Sequence, residues 1–332
     1  MAVVSRLDVA IETVRRASLL ARRVRAERVD GQALAKQDRS PVTVADFAVQ
    51  ALVSLDLGEH LPGDPILGEE ASAQLRDADN RELRDHVVAA VERFRPGAGT
   101  EAVLAAIDRC SAPAGASGSF WTLDPVDGTK GFLRGGQYAI ALALIEDGRV
   151  VLAALGCPEL LLDPERPEAG TGCLLAARRG GGSRCFDLDG NDLGPISVTP
   201  TTDPAHAVFC ESVEAAHSAH DLHARIAARL GVTAPPVRMD SQCKYAALAR
   251  GEGSIYLRLP RTESYQEKIW DHAAGGLVIE EAGGRVTDAR GRDLDFSAGR
   301  TLSNNYGIVA SNGRFHDLLI AAVTAELDAE PA

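Results

Sequence analysis

Two aspartates, Asp124 and Asp127, close an apolar run in Trp121-Thr122-Leu123-Asp124-Pro125-Val126-Asp127-Gly128-Thr129. Pro125 fixes the backbone between them and Gly128 ends the run, so a strand is expected to finish on irregular backbone. Two carboxylates and a backbone carbonyl can converge there, and hard oxygen donors of that kind suit magnesium at roughly 2.0–2.1 Å. Thr129 sets a hydroxyl beside them, and Gly128 lets the backbone approach a phosphate closely. An Asp-Gly pair is also ordinary β-turn material, and taken alone the turn reading is as good as the chemical one.

The pair has company. Glu69 and Glu70 follow the short apolar run Pro65-Ile66-Leu67-Gly68, again at a strand end. Asp46 is expected in the first turn of a helix, and Asp271 begins another in Trp270-Asp271-His272-Ala273-Ala274-Gly275. The ordinary role of each is a favourable interaction with the helix dipole. One such acid carries no message. Four acidic groups at element ends are what a phosphatase with metal ions roughly 3.5–4 Å apart requires. An aspartyl-phosphate phosphatase of the haloacid dehalogenase type fits less well, because that chemistry uses a D-x-D spacing and Asp124 and Asp127 are further apart. Spacing along the chain does not by itself bring the four groups together.

The elements that must position them follow from periodicity. Leu7, Ile11, Val14, Ala17, Ala21 and Val24 recur at helical spacing, which predicts a helix over 5–28 with its arginines largely facing solvent. Residues 38–43 read as a loop, with Thr43 capping a helix that runs to residue 57. Helices are expected over 80–94 and 100–110, and a strand over 119–123. A hairpin pairs 138–145 with 150–155 about Glu146-Asp147-Gly148. Gly180-Gly181-Gly182 reads as a flexible turn, since no strand-to-helix context makes it a phosphate loop. From Ala205 strands (208–210, 237–239, 254–257, 308–310) alternate with helices (218–230, 241–250, 271–282, 314–326). The chain of 332 residues is thus expected to be an α/β protein of two domains, 1–200 with most of the acids and 201–332.

Bulk composition narrows the function. A net charge of −12 leaves no basic face for a nucleic-acid or membrane partner, despite the local cluster Arg15, Arg16, Arg22, Arg23, Arg25 and Arg28. Aromatic content of 5% argues against a stacking platform for single strands. The excess of acids suits a protein that holds several divalent cations. Six scattered cysteines form no metal or disulfide pattern and read as reduced, mostly buried thiols of a cytoplasmic protein. No apolar run is long enough to span a membrane. The arginine-rich first helix carries Asp8, Glu12 and Glu27, which count against a transit peptide.

The order Asp46, Glu69-Glu70, Asp124-Pro125-Val126-Asp127-Gly128-Thr129, Trp270-Asp271-His272-Ala273-Ala274-Gly275 resembles the signature of the inositol monophosphatase-like, lithium-sensitive phosphatases. Gly128-Thr129-Lys130-Gly131-Phe132-Leu133-Arg134-Gly135, Asp240-Ser241-Gln242-Cys243-Lys244-Tyr245 and Tyr256-Leu257-Arg258-Leu259-Pro260 resemble the 3′(2′),5′-bisphosphate nucleotidases among them. The likeness extends over almost the whole chain. It implies an alternating α-β-α-β-α sandwich with the active site between the lobes. It implies that Glu69, Asp124, the carbonyl of Val126, Asp127 and Asp271 hold two or three magnesium ions, with Glu70 assisting. Asp46 and Thr129 would orient and deprotonate the attacking water, and Gly128, Thr129, His217, Ser241, Lys244 and Arg258 would contact the nucleotide. Taken singly, Lys244 and Arg258 read as surface charges and His217 as a helix-start residue. The implied reaction takes adenosine 3′,5′-bisphosphate to AMP and phosphate, with the 2′,5′ isomer and the sulfated nucleotide as further substrates. Its rivals are the same chemistry on an inositol phosphate and a catalytically idle, metal-dependent nucleotide-binding regulator.

Overall fold

The computed structural model describes residues 5–29, 41–213, 220–260 and 265–329. In chain order the elements are α1 (Arg6–Val29), α2 (Pro41–His60), β1 (Ile66–Gly68), α3 (Ala73–Arg76), α4 (Arg81–Glu92), α5 (Thr100–Asp108), β2 (Ser119–Asp127), α6 (Thr129–Arg134), β3 (Ala139–Glu146) and β4 (Arg149–Leu161). There follow β5 (Thr171–Arg178), β6 (Gly182–Asp187), β7 (Asp192–Pro195), β8 (Phe209–Glu211), α7 (His220–Arg229), β9 (Val237–Arg238) and α8 (Cys243–Ala249). The chain ends with β10 (Ile255–Arg258), α9 (Ala273–Glu281), β11 (Arg285–Thr287), β12 (Ile308–Ser311) and α10 (His316–Asp328).

Strands β1 to β7 form one sheet in sequence order, antiparallel except for the parallel β1–β2 pair. The β3–β4 turn shows why consecutive strands pair so readily. Asp147 and Gly148 both have positive φ, 46° and 74°, the backbone that a two-residue hairpin loop needs to match strand twist. Both faces of this sheet are covered, so its strands read as nearly continuous apolar runs. Trp121, Leu123, Ile140, Leu142 and Leu144 pack with the buried faces of α1, α2, α4 and α5. Phe120, Ala139, Ala141, Ala143 and Leu155 face α8 and α9. The second sheet has the order β11-β12-β10-β8-β9. Tyr256, Val286, Ile308 and Ala310 share the core of α9, whereas Phe209, Ile255, Leu257 and Val309 pack with α7 and α10. The layers therefore alternate α-β-α-β-α, as the resemblance implied.

Several local expectations change. The described part of helix α2 runs from Pro41 to His60. Thr43 is thus inside the helix and Asp46 lies beyond its first turn, too far along for the dipole role. The arginines of α1 do not largely face solvent. Arg15, Arg16, Arg22 and Arg25 are half-buried. They donate to Leu188 O (3.0 Å), Asp56 Oδ2 (2.6 Å), Thr171 O (3.1 Å) and Gly136 O (3.0 Å), so the basic cluster is spent on tying α1 to its neighbours. The Gly180–Gly182 turn is pinned, because the N–H groups of Gly180 and Gly182 donate to the Glu281 carboxylate at 2.8 and 2.9 Å. Strand β11 was not expected, and β2 runs on past Leu123 to Asp127.

Candidate active site

The parallel pairing of β1 with β2 sets Gly68 against Leu123, so the residues just beyond, Glu69 and Asp124, come side by side. Asp127 joins them through an irregularity in β2. Asp124 pairs with Ala141 and Asp127 with Ala139, so three steps on β2 oppose two on β3. In a regular strand a three-residue spacing would put the two aspartates on opposite faces; the extra residue returns Asp127 to the face of Asp124. From the other side come Asp271, which ends a helical turn over Ile269–Asp271, Ser241 and Lys244 at the head of α8, and Arg258 at the end of β10. Glu69, Asp124, Val126, Asp127, Gly128, Thr129, Ser241, Lys244, Arg258 and Asp271 line one cavity of about 440 Å³. Asp46 and Glu70 are not among its lining residues, and His217 lies outside the described residues.

One wall is acidic. Asp124 is buried, its Oδ1 has no hydrogen-bond partner among the described residues, and burial first, then Glu69 and Asp127, push its carboxyl well above the usual range. Glu69, at the cavity's edge, is pushed up to about 7 by desolvation and by the charges of Asp271, Glu70 and Asp127. Asp127 is raised by burial and by Asp271, although Gln242 N donates to its Oδ2 at 2.6 Å. Asp46 is raised well above its usual value by burial and then by Glu70 and Glu69.

The facing wall is cationic. Lys244 is only 4% exposed, so it is not a surface charge. Burial lowers its pKa against the pull of Asp127, and its ammonium donates to Met239 O at 3.3 Å and lies 5.4 Å from the Tyr256 ring centre. Arg258 is fixed by Glu267 (Nε–Oε2 2.9 Å), Asp271 (Nη2–Oδ2 3.2 Å) and the Tyr265 hydroxyl (2.9 Å). Glu267 meets His272 at 3.0 Å, and the other ring nitrogen of His272 meets the Tyr245 hydroxyl at 2.8 Å. Among the described residues Glu267, Asp271 and His272 are spaced as a metal trio would be. Arg258 already bridges the two acids, so this network orients a guanidinium.

Several positioning groups escaped the sequence reading. Gln50 clamps Glu70, accepting from its N–H (3.0 Å) and donating to its carbonyl (2.8 Å). A lone glutamine inside the apolar Phe47–Val53 run was the available signal. Gln242 also donates to Trp270 O at 3.0 Å and accepts from Gly275 N at 3.1 Å, which fixes the segment of Asp271 to α8. Ser241, which the resemblance had already placed against the nucleotide, holds φ of 64° without being glycine, and its Oγ donates to Asp240 O (2.6 Å) and accepts from Cys243 N (3.2 Å). Strain of this kind collects at functional sites.

Clustered carboxylates with an unpartnered buried oxygen form a hard donor set, and such a set fits divalent magnesium. The model of the inositol monophosphatase family matches residues 3–328. The chain belongs to the inositol monophosphatase family. Its relatives in that family include proteins named 3′(2′),5′-bisphosphate nucleotidase. That of Emericella nidulans is 45% identical over 93% of this chain and 95% of its own length. That of Oryza sativa is 46% identical over 96% and 93%. Inositol monophosphatase from Anabaena superposes with a TM-score of 0.60 at 21% identity, covering 96% of this chain and 95% of that one. Mycobacterium tuberculosis SuhB gives 0.61 at 22%, covering 98% and 97%, so the inositol monophosphatase-like fold is shared where little sequence is.

Proposed function

We propose that this family member is a magnesium-dependent 3′(2′),5′-bisphosphate nucleotidase, which removes the 3′-phosphate of adenosine 3′,5′-bisphosphate to give AMP and phosphate. The observation that carries the reading is the pairing, in one cavity, of an acidic wall with buried Lys244 and with Arg258. A monophosphate needs only the first. The second supplies desolvated donors for a second phosphate, where charge-assisted hydrogen bonds are strongest. The names of the relatives at 45–46% identity support the same substrate class.

Glu69, Asp124, the carbonyl of Val126, Asp127 and Asp271 would hold two or three magnesium ions, with Glu70 assisting. Bound there, magnesium supplies Lewis-acid polarisation of the phosphate and acidification of water. Thr129 presents its hydroxyl to the attacking water, and Asp46, on a helix that packs against α6, receives the proton. Burial that raises the Asp46 carboxyl makes it a stronger base for that task. Ser241, Lys244, Arg258, His217 and the backbone at Gly128 hold the nucleotide. The ribose hydroxyl leaves in line, with no covalent enzyme intermediate. Residues 1–200 then supply most of the metal-binding acids, and residues 201–332 supply Asp271 and the nucleotide contacts. The 2′,5′ isomer and the sulfated nucleotide share the required pair of anionic groups, and the site of action is the cytoplasm.

Asp127→Asn keeps the shape of the site and removes one negative charge from its centre. Turnover of adenosine 3′,5′-bisphosphate should fall at least about a hundredfold, as losing a group stabilising the reacting phosphate does, while the thermal unfolding temperature holds or rises. Phosphate release in magnesium, with a melt of each protein, checks this. Undiminished magnesium-dependent turnover in the variant would remove Asp127 from the site.

A further inference from the structure

Two of the acids that meet in the cavity are carried by segments that no regular element joins. Glu69 follows Gly68 at the end of β1, and Asp271 follows Trp270 in a single helical turn. A residue outside every motif connects them. Arg300, 232 residues beyond Gly68, donates from Nη2 to the Gly68 carbonyl at 3.2 Å. Its guanidinium also lies over the Trp270 ring, 4.7 Å from the centre. Its own carbonyl accepts from Ile269 N at 3.2 Å, Leu302 N donates to Glu267 O at 2.8 Å, and Lys268 bridges Thr301. The backbone of Arg300 is therefore part of the Asp271 segment, while its side chain reaches the Glu69 segment. On the far side Gln50 holds Glu70 from α2, so Arg300 supplies the link toward the C-terminal half.

We propose that Arg300 is a positioning residue for the metal-binding acids, tying Gly68 to Trp270 so that Glu69 and Asp271 stay at coordinating separation. The inference rests on the reading of Glu69 and Asp271 as metal ligands. The tie has something to resist, since Glu69 and Asp271 bring carboxylates of like charge to the same cavity. A planar guanidinium can stack on an indole and donate sideways at once. An ammonium can do one or the other, so lysine is not an equivalent replacement. Arg300 itself is exposed, which keeps the effect modest.

The test is binding of Mn²⁺ alone, a spin-active stand-in for magnesium, followed by paramagnetic resonance of the free ion on the full chain. Wild type, Arg300→Ala, Arg300→Lys and Asp127→Asn are compared. Arg300→Ala should bind roughly fivefold more weakly, about 1 kcal/mol, with Arg300→Lys between it and wild type. The magnesium concentration for half-maximal turnover should shift by the same factor, with KM for the nucleotide unchanged at saturating metal. A merely structural role would lower the melting temperature in EDTA and leave Mn²⁺ affinity alone, and that result overturns the proposal. Should Arg300→Ala fail to fold, Arg300→Lys carries the same sign. Wild-type binding that Asp127→Asn leaves intact would instead overturn the ligand assignment beneath it.

Discussion

Glu69 carries the clearest residue-scale consequence, because its carboxyl is pushed up to about 7 by desolvation and by neighbouring acids. A folded-state value above the unfolded one means that the metal-free fold binds the extra proton. Its contribution to stability is full below the ordinary value of 4.5 and is lost as pH rises through about 7. Under the proposed function Glu69 holds magnesium in its ionised form, so binding would expel that proton. Calorimetric titration of the metal-free protein with magnesium at pH 7, in two buffers of different ionisation enthalpy, should show release of at least about half a proton per protein, since Glu69 is half protonated there. Affinity should weaken as pH falls below 7. Heats that do not depend on the buffer would show that the acids are already ionised. Glu69, Asp124 and Asp127 were legible in the sequence because each ends an apolar run. Their mutual distance was not, since it depends on the β1–β2 register and on the extra residue in β2. Nor was the burial of Lys244, as a lysine two residues past a polar pair reads as surface until α8 is seen inside the sandwich.

At the scale of elements, the link between β2 and α6 is the sensitive joint. Gly128 has φ of +92°, and a Cβ there would come within 2.7 Å of Ser241 Cβ. Gly128→Ala meets two penalties, left-handed backbone at about 1–2 kcal/mol and an overlap that displaces Ser241 or Thr129. Gly97 has a similar φ of +84° with nothing within 4 Å of the added carbon, so Gly97→Ala serves as the control. Gly97→Ala should lose only the backbone share of stability on thermal unfolding and Gly128→Ala at least as much, and only Gly128→Ala should lose activity, by tenfold or more on ordinary expectations for misplaced groups. Equal activity in the two would separate this joint from the chemistry. Hairpin turns and helical periodicity disclosed most elements of the first sheet. The start of α2 was misplaced because Thr43 offered a capping side chain, whereas the helix already contains it. Short β11 went unseen, since three residues carry too little pattern to distinguish strand from loop.

For the whole molecule, the site is assembled from both sheets and from the α8–α9 layer pressed between them. The β11-β12-β10-β8-β9 order could not be read from alternation, because non-consecutive strands pair in it and two of its pairings are parallel. What made the architecture legible was the family resemblance, which the match over residues 3–328 bears out. The same architecture brings the acids of the first half of the chain to Asp271 and the cationic wall of the second, and under the proposed function substrate choice is decided across that gap. Two charge-assisted contacts to a second phosphate, at roughly 1.5 kcal/mol or more each, correspond to at least about a hundredfold preference.

The most direct measurement is kcat/KM for adenosine 3′,5′-bisphosphate and for inositol 1-phosphate in one phosphate-release assay, with magnesium and with EDTA. The expected result is magnesium-dependent turnover that favours the adenosine bisphosphate by about a hundredfold or more. Equal or faster turnover of the inositol phosphate, or no turnover of either despite nucleotide binding, would contradict it.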